Sequence, residues 1–175
     1  MTLTFNDINE TNKNLIPKVV FDYIKQHDTD SNIKVAEINP DFADDESLNR
    51  EYGIDYEEML NCLVVEGSRG EDKYYAALLV PYGKKAKTNA TVKRPLGASK
   101  VGFADLNWVL EATKMEFGSI TPVGLPSDWL ILMDSQILEK DQVVVGGGFV
   151  QSKLLIPTQL LASLPNIQVV EDLAK

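Results

Sequence analysis

Met59-Leu-Asn-Cys-Leu-Val-Val-Glu66 and Tyr74-Tyr-Ala-Ala-Leu-Leu-Val80 are two runs of mainly branched and apolar residues near the middle of the chain. Gly67-Ser-Arg-Gly-Glu-Asp72 lies between them and offers two glycines for a chain reversal. This arrangement predicts an antiparallel β-hairpin. Because the flanking patterns alternate irregularly between helix and strand, the hairpin favours an α+β fold, with a mostly antiparallel mixed sheet or a partly closed barrel and helices packed outside.

The patterns on either side of the hairpin predict short helices and strands. Asn14 can cap a first helix with Pro17 in its first turn. Asp44 or Asp45 can begin a second helix that ends at Gly53, since glycine tolerates the left-handed conformation. Further helices are expected over residues 84–96, 104–113 and 157–162, and strands over residues 33–38, 101–103, 129–133, 142–145, 154–156 and 167–170.

Length and composition predict one ordinary globular domain, which we place at residues 15–175 after an N-terminal arm of residues 1–14. The chain has 175 residues, of which 44% are hydrophobic and 25% charged. The arm has no secretory signal pattern and no apolar run could span a bilayer, so we expect a cytoplasmic protein without a membrane partner. With a single Cys62 and a single His27, the sequence predicts no disulfide framework and no cysteine-based or multi-histidine metal site, so any metal would have to be bound by carboxylates. We expect no metal and no cofactor.

The charge is unevenly distributed along the sequence. A net charge of −9 argues against a nucleic-acid partner, because phosphate binding depends on lysine and arginine. Residues 73–104, however, contain no acidic residue and seven basic ones, namely Lys73, Lys84, Lys85, Lys87, Lys93, Arg94 and Lys100. This segment predicts either a basic face on an acidic body or simply a solvated, lysine-rich surface.

Phe117-Gly-Ser-Ile-Thr-Pro-Val-Gly-Leu-Pro126 concentrates residues that bend or stiffen the backbone. Its glycines can adopt positive φ, and its prolines fix φ and lack an N–H group. The pattern predicts a stiff loop whose free backbone groups could face a ligand, although a plain connection between a helix and a strand would use the same residues. Trp108 and Trp129 bracket this loop and are expected to be core or wall residues. Cys62 is most simply a small buried hydrophobe.

The order of these motifs resembles the YbaK/aminoacyl-tRNA-synthetase-associated domain family, the editing module related to the insertion domain of bacterial prolyl-tRNA synthetases. Three blocks carry the resemblance, and with weaker likeness it covers about residues 15–173. They are Leu96-Gly-Ala-Ser-Lys-Val-Gly-Phe-Ala-Asp105 leading to Gly118-Ser-Ile-Thr-Pro-Val-Gly124, then Ile131-Leu-Met-Asp-Ser135, then Val143-Val-Val-Gly-Gly-Gly148 followed by Leu154-Leu-Ile-Pro157.

The resemblance implies a function in translation fidelity. The expected activity is that of a free-standing aminoacyl-tRNA deacylase, a hydrolase that cleaves the ester of a mischarged tRNA in trans, with water as the nucleophile. The alternative is a catalytically inactive homologue that binds a tRNA 3′ end, an amino-acid-like ligand or a synthetase. The implied partners are the acceptor end of a tRNA that carries a wrong amino acid, and a synthetase, rather than DNA.

The resemblance also implies the site residues. Backbone groups of Gly118 and Thr121 are the expected catalytic groups. The expected substrate-binding residues are Asn61, Lys100, Ser119, Ile120, Pro122, Gly124, Asp134, Gly146, Gly147 and Gly148, and the expected tRNA-binding residues are Lys84, Lys85, Lys87, Lys93 and Arg94. Two positions depart from the family pattern, since Asn61 stands where most active members carry lysine and Asn39 where many carry histidine.

Overall fold

The computed structural model describes residues 2–175, which form two β-sheets surrounded by five α-helices. In chain order the strands are β1 (Asn6–Asp7), β2 (Lys34–Glu37), β3 (Leu60–Arg69), β4 (Asp72–Pro81), β5 (Lys100–Phe103), β6 (Leu130–Asp134), β7 (Gln142–Gly146), β8 (Ser152–Pro157) and β9 (Ile167–Val170). The helices are α1 (Lys18–His27), α2 (Asp45–Tyr52), α3 (Ala90–Leu96), α4 (Leu106–Thr113) and α5 (Thr158–Ser163).

The predicted hairpin is confirmed as the centre of the larger sheet. Strands β3 and β4 are antiparallel and pair without interruption from Leu60 opposite Pro81 to Arg69 opposite Asp72. The strands therefore extend into the polar segment expected to be a loop. The reversal is confined to two residues, of which Gly70 has a φ of +60°, a conformation that costs glycine no Cβ clash.

Taken together, the two sheets are mostly antiparallel, and the expected α+β class is confirmed. The smaller sheet has the order β1-β2-β8-β7 and is antiparallel throughout. The larger sheet has the order β5-β3-β4-β6-β9, with parallel pairing only of β6 to β4 and β9. A parallel bridge between Met59 and Val144 joins the two sheets. The sheets do not close into a barrel, so of the two predicted architectures the open one is correct.

The main core lies where the hairpin, β6, β7 and β8 pack against α1, α4 and α5. Its fully buried side chains include Val20, Leu79, Met133 and Leu154. Burial of each such side chain contributes about 1.5–3 kcal/mol to stability. A second cluster forms on the other face of the larger sheet, beneath Val92 of α3 and the C-terminal Leu173. Both faces of the β3–β4 hairpin are therefore covered, and this rigid support carries the site described below.

The second predicted helix has the expected ends. Asp44 caps α2 by accepting a hydrogen bond from the Ser47 N–H at 2.9 Å. Gly53 ends the helix with a φ of +69°. The first helix differs at its start, because Pro17 and not Asn14 occupies the cap position of α1.

The helix predicted over residues 84–96 is too long. Only α3 is helical, starting after Asn89, whose side chain accepts from the Thr91 N–H at 3.0 Å. The preceding lysines pair instead with the end of the chain, since Lys85 donates its backbone N–H to the Lys175 carbonyl at 3.0 Å and Lys87 to that of Leu173 at 2.9 Å. This non-local pairing competes with local helix formation. Among the described residues, no helix has the length and apolarity needed to cross a membrane.

Candidate active site

A cavity of about 410 Å³ opens between the start of α2, the first half of β3, the N-terminal part of α4 and the predicted loop. Most of its wall is apolar, with Leu60, Leu63, Val64, Val109 and Ile120 among the lining residues. Polar groups enter from only a few positions. An apolar cleft with a few convergent polar groups is the usual form of a small-molecule site.

The predicted loop forms one wall of this cavity. Gly118, which has a φ of +83°, lines the cavity together with Ile120. The backbone N–H groups of both residues form no hydrogen bond with the described residues. Between them Ser119 is anchored, since its N–H donates to the Glu116 carbonyl at 3.0 Å and its carbonyl accepts from the Gly148 N–H at 2.8 Å. The loop thus holds two free amides at a fixed position beside the cavity.

The triple glycine supports this loop wall from behind. A Cβ on Gly146 would lie 2.7 Å from the Ser119 carbonyl oxygen, so only glycine permits the loop to approach β7 so closely. A Cβ on Gly147 would meet the Ser152 hydroxyl, and one on Gly148 would meet the Pro17 ring. Gly146 alone of the three lines the cavity. The other two glycines permit close backbone packing.

The unpaired edge of β3 forms a second wall. Strand β5 pairs with β3 only over residues 65–68, and the Val64 carbonyl accepts from the Ala104 N–H at 3.1 Å. In the described chain, residues 60–63 therefore have no strand partner on that side, and pairing resumes only with the bridge at Met59. Asn61 and Cys62 lie on this stretch and line the cavity. Burial raises the pKa of the Cys62 thiol to about 12. The thiol is therefore protonated at neutral pH, in keeping with the expected apolar role and not with a nucleophile.

The third wall carries charges that sequence reasoning missed. Lys153, on β8, lines the cavity and is only 5% exposed. Asp44 and Asp45 line it from the start of α2. Burial lowers the pKa of Lys153 and raises that of Asp45, while the attraction between the two opposes both shifts. The available signal was the lysine itself, which directly precedes the apolar run that begins at Leu154.

Eight of the twelve predicted substrate-binding and catalytic residues lie outside the cavity lining: Lys100, Ser119, Thr121, Pro122, Gly124, Asp134, Gly147 and Gly148. Lys100 is exposed on β5. The buried Asp134 accepts from the N–H groups of Gln136 and Ala174, both at 2.8 Å, and so fixes the C-terminal segment. Gly124 lies against the α1 backbone, where a Cβ would be 2.8 Å from the Val19 carbonyl oxygen.

The hydroxyl groups of Ser119 and Thr121 are buried behind the loop. Neither oxygen has a hydrogen-bond partner among the described residues. The Thr121 N–H points to the sulfur of Met115 at 3.5 Å, which is a weak acceptor. The side chains of Ser119 and Thr121 therefore do not fix the loop through hydrogen bonds, whereas the Ser119 backbone does.

None of the five predicted tRNA-binding residues lines the cavity. Lys93 and Arg94 occupy the last turn of α3, and Lys84 and Lys85 are exposed on the segment that pairs with the C-terminus. Lys87 forms an ion pair with Asp172 at 2.5 Å. The other four residues form no ion pair within residues 2–175, so their charges are available to a partner.

Exposed apolar side chains surround the mouth of the cavity. Phe103 and Phe117 are 65% and 69% exposed, and both line the opening together with Leu106. Nearby, Tyr75 and the two tryptophans form one cluster in which each ring contacts the other two, with centroids 4.0 Å apart for Tyr75 and Trp108, 5.7 Å for Tyr75 and Trp129, and 5.9 Å for the two tryptophans. Trp129 is buried as expected, whereas Trp108 is 41% exposed.

The family model of the aminoacyl-tRNA editing domain matches residues 39–164, which include the cavity walls formed by α2, β3, the loop and β8. The chain belongs to the aminoacyl-tRNA editing domain family, which confirms the resemblance seen in the sequence. Membership associates the protein with tRNA or with synthetase-related interactions in general. No curated protein sequence matches the chain significantly.

Solved structures share the fold. A hypothetical protein, APE2540, superimposes with a TM-score of 0.77 at 22% identity, covering 90% of this chain and all of its own. A candidate trans-editing enzyme for prolyl tRNA synthetase superimposes with a TM-score of 0.74 at 19% identity, covering 88% of this chain and 94% of its own. At these identities the likeness establishes the fold alone.

Proposed function

We propose that this protein is a free-standing aminoacyl-tRNA deacylase that hydrolyses the ester of a mischarged tRNA. The observation that carries the proposal is the placement of free backbone amides at Gly118 and Ile120 on the wall of an apolar cavity. The family match and the fold shared with a candidate trans-editing enzyme support the same reaction class. The side chain of the wrong amino acid would occupy the apolar part of the cavity.

In the proposed reaction, water adds to the carbonyl carbon of the ester. A new bond forms between the water oxygen and this carbon, and the bond from the carbon to the ribose oxygen breaks. The ribose oxygen takes up a proton, so the products are the free amino acid and a tRNA with a free terminal hydroxyl group. The Gly118 N–H would stabilise the oxyanion that forms in between, an effect worth about 2.7–4 kcal/mol per donor. Thr121, which is buried behind the loop, would contribute only by packing there.

The tRNA would reach the cavity along the basic segment. Lys84, Lys85, Lys93 and Arg94 make no ion pair within the described chain, and Lys100 is exposed on β5, the strand that ends at the mouth residue Phe103. Phosphate contacts by such residues would make binding depend on salt, with log K falling by about 0.7 per contact on a single strand for each unit of log salt concentration.

A panel of mischarged tRNAs tests the proposal. Single-turnover deacylation would be measured for tRNAs charged with alanine, valine, leucine and methionine in non-cognate pairings. We expect at least one pairing to be hydrolysed more than ten times faster than in buffer. Hydrolysis at the buffer rate for every pairing would exclude the enzymatic function.

The alternative is a homologue that binds these partners without turnover, and Asn61 is the observation that favours it. The residue lines the cavity but brings no charge, where most active members of the resembled family carry lysine. Tight, salt-sensitive tRNA binding without ester hydrolysis would support this alternative. If Asn61→Lys then gains hydrolysis, the absent charge at this position is the reason.

A further inference from the structure

The charged wall of the cavity contains a lysine and an aspartate that neither pair with each other nor with any other described side chain. Lys153 is 5% exposed, and its ammonium group forms no hydrogen bond or ion pair within residues 2–175. Burying a charge without a partner is costly, and such lysines are rare in proteins. The position of Lys153 on the cavity wall therefore indicates that a ligand supplies the missing partner.

Three consecutive acidic residues, Asp44, Asp45 and Glu46, stand at the start of α2, and of the two that line the cavity Asp45 is the free one. The carboxylate of Asp44 is occupied, since its oxygens accept from the Ser47 N–H at 2.9 Å and the Ser47 hydroxyl at 2.7 Å. The Asp45 carboxylate is partly buried, lines the cavity and accepts no hydrogen bond from the described residues. The negative charge of Asp45 also contributes to the raised pKa of the Tyr82 hydroxyl, but the two side chains are not hydrogen-bonded to each other. Asp45 is thus available to a cationic group.

The two side chains line one cavity and their charges attract each other, but they form no ion pair or hydrogen bond with each other. Two such charges on one cavity suit a ligand that carries a cation and an electron-rich oxygen a few bonds apart. An α-amino acyl ester has this pattern, with an ammonium group one carbon from the carbonyl. The apolar lining of the same cavity suits an apolar side chain.

We infer that Asp45 and Lys153 form a head-group site that selects substrates with a free α-amino group, with Asp45 accepting from the ammonium and Lys153 donating to the ester carbonyl oxygen. This inference rests on the proposed function, because it takes an aminoacyl ester as the substrate. The site would reject esters whose amino group is acylated, such as those of formylated initiator or peptidyl-tRNA. Lys153 would then also supply the positive charge that Asn61 does not.

Blocking the amino group tests the inference. Deacylation of alanyl-tRNA, valyl-tRNA and their N-acetyl derivatives would be measured with the wild type, Asp45→Asn and Lys153→Met. The matched control is Asp41→Asn, which removes an exposed acidic residue near the same helix but outside the cavity lining. We expect acetylation to slow the wild type and Asp41→Asn by at least about 30-fold. Asp45→Asn should reduce this ratio to less than about 3, and Lys153→Met should slow both substrates.

The outcomes separate the inference from the proposed function. Equal rates on free and acetylated substrates, or full discrimination by Asp45→Asn, would overturn the inference while leaving the deacylase intact. If no ester is hydrolysed, the proposed function fails, and calorimetry with the stable amide 3′-(L-alanylamino)-3′-deoxyadenosine and its N-acetyl form decides on the head-group site. Preference for the free amine that is lost in Asp45→Asn supports it, and absence of preference overturns it. Thermal unfolding of each variant checks that the fold is kept.

Discussion

The loop wall and the charged wall of the cavity are built in different ways. The loop wall consists of backbone groups, and residues such as Gly118 and Gly146 matter because they lack a side chain. The charged wall consists of two side chains, Asp45 and Lys153, that come from separate elements. The loop wall therefore depends on local conformation and close packing. The charged wall requires charged groups to be buried, which costs solvation free energy. Substitutions should affect the two walls with opposite consequences for stability.

The largest effect is expected from Gly146→Ala, which damages the loop wall at its support. The added Cβ would lie 2.7 Å from the Ser119 carbonyl oxygen, so the loop must move away from β7. We expect deacylation to fall roughly 10²-fold, as for the loss of an oxyanion donor. Overpacking should lower the free energy of unfolding by about 1–3 kcal/mol. Single-turnover rates and urea unfolding measure the two effects.

Gly102→Ala is the matched control for this substitution. Gly102 lies in β5, has no left-handed φ, and a Cβ added there would meet no heavy atom within 4 Å. We expect near wild-type stability and rate for this variant. If Gly146→Ala behaves like Gly102→Ala, close packing on the triple glycine does not position the loop.

Gly118→Ala should have a smaller effect, which separates loop strain from loop position. Gly118 has a φ of +83° but open space at its Cβ, so alanine would be strained without a clash. The expected loss of stability is about 1–2 kcal/mol. Gly83→Ala is matched in φ, at +79°, with equally open space, and lies outside the cavity lining. Both variants should lose similar stability in urea unfolding, but only Gly118→Ala should slow deacylation, by about 10-fold or more. If Gly118→Ala and Gly83→Ala deacylate the substrate at the same rate, the loop is only a connection between a helix and a strand.

The loop wall could be predicted from the sequence because its signals are local. Glycine and proline spacing indicates a bent, stiff loop, and the same kind of local signal indicates the caps of α2 and the β3–β4 hairpin. The overlong helix at residues 84–96 shows where such signals fail, because pairing with the C-terminus replaced helical hydrogen bonds at Lys85 and Lys87. Asp134, which was predicted to bind substrate, lies outside the cavity lining and instead holds the C-terminal segment in place through the Ala174 N–H.

The charged wall could not be predicted in the same way. Lys153 and Asp45 are far apart in the sequence and line one cavity only because the fold brings β8 and the start of α2 to it. Asp45 also resembles an ordinary helix-cap residue beside Asp44, and only the hydrogen bonds to Ser47 distinguish the two. The family resemblance points to position 61 on β3 as the place for a positive charge, where this chain has Asn61. The structure instead places a positive charge in the same cavity at Lys153 on β8.

Lys153→Met should stabilise the fold while impairing the site. Because burial lowers the pKa of Lys153 below its ordinary value of 10.5, the charged form is disfavoured in the folded state. Removing it should raise the free energy of unfolding by about 1–3 kcal/mol, which for a chain of this size raises Tm by roughly 2–4 °C per kcal/mol. The gain should be largest at neutral pH and should shrink as pH rises from the lowered folded-state pKa towards 10.5, where lysine becomes neutral in the unfolded state as well.

The control for this prediction is Lys100→Met, an exposed lysine whose replacement should change stability by less than about 0.5 kcal/mol. Scanning calorimetry from neutral pH up to about pH 10 would give the difference in Tm between each variant and the wild type. A lower Tm for Lys153→Met at neutral pH would mean that the ammonium is stabilised in the free protein, and the argument that it awaits a ligand would fail.

The smallest effect is expected at Asp44, whose substitution distinguishes the structural acid of α2 from the free one. Asp44→Ala removes the acceptor of both Ser47 hydrogen bonds and should cost about 1 kcal/mol. Asparagine keeps an acceptor for the Ser47 N–H, so Asp44→Asn should cost only a few tenths of this amount.

Hydrogen bonds from Ser47 lower the pKa of Asp44, so the stability that they provide should be present above the ordinary carboxylate pKa and should decline as pH falls through the lowered value. Urea unfolding of the variants and of Asp45→Asn, at neutral pH and at about pH 3, provides the comparison. Because burial raises the pKa of Asp45, neutralising that residue should not destabilise the protein at neutral pH. A larger loss of stability at Asp45 than at Asp44 would reverse the two roles and make Asp45 a structural residue of α2.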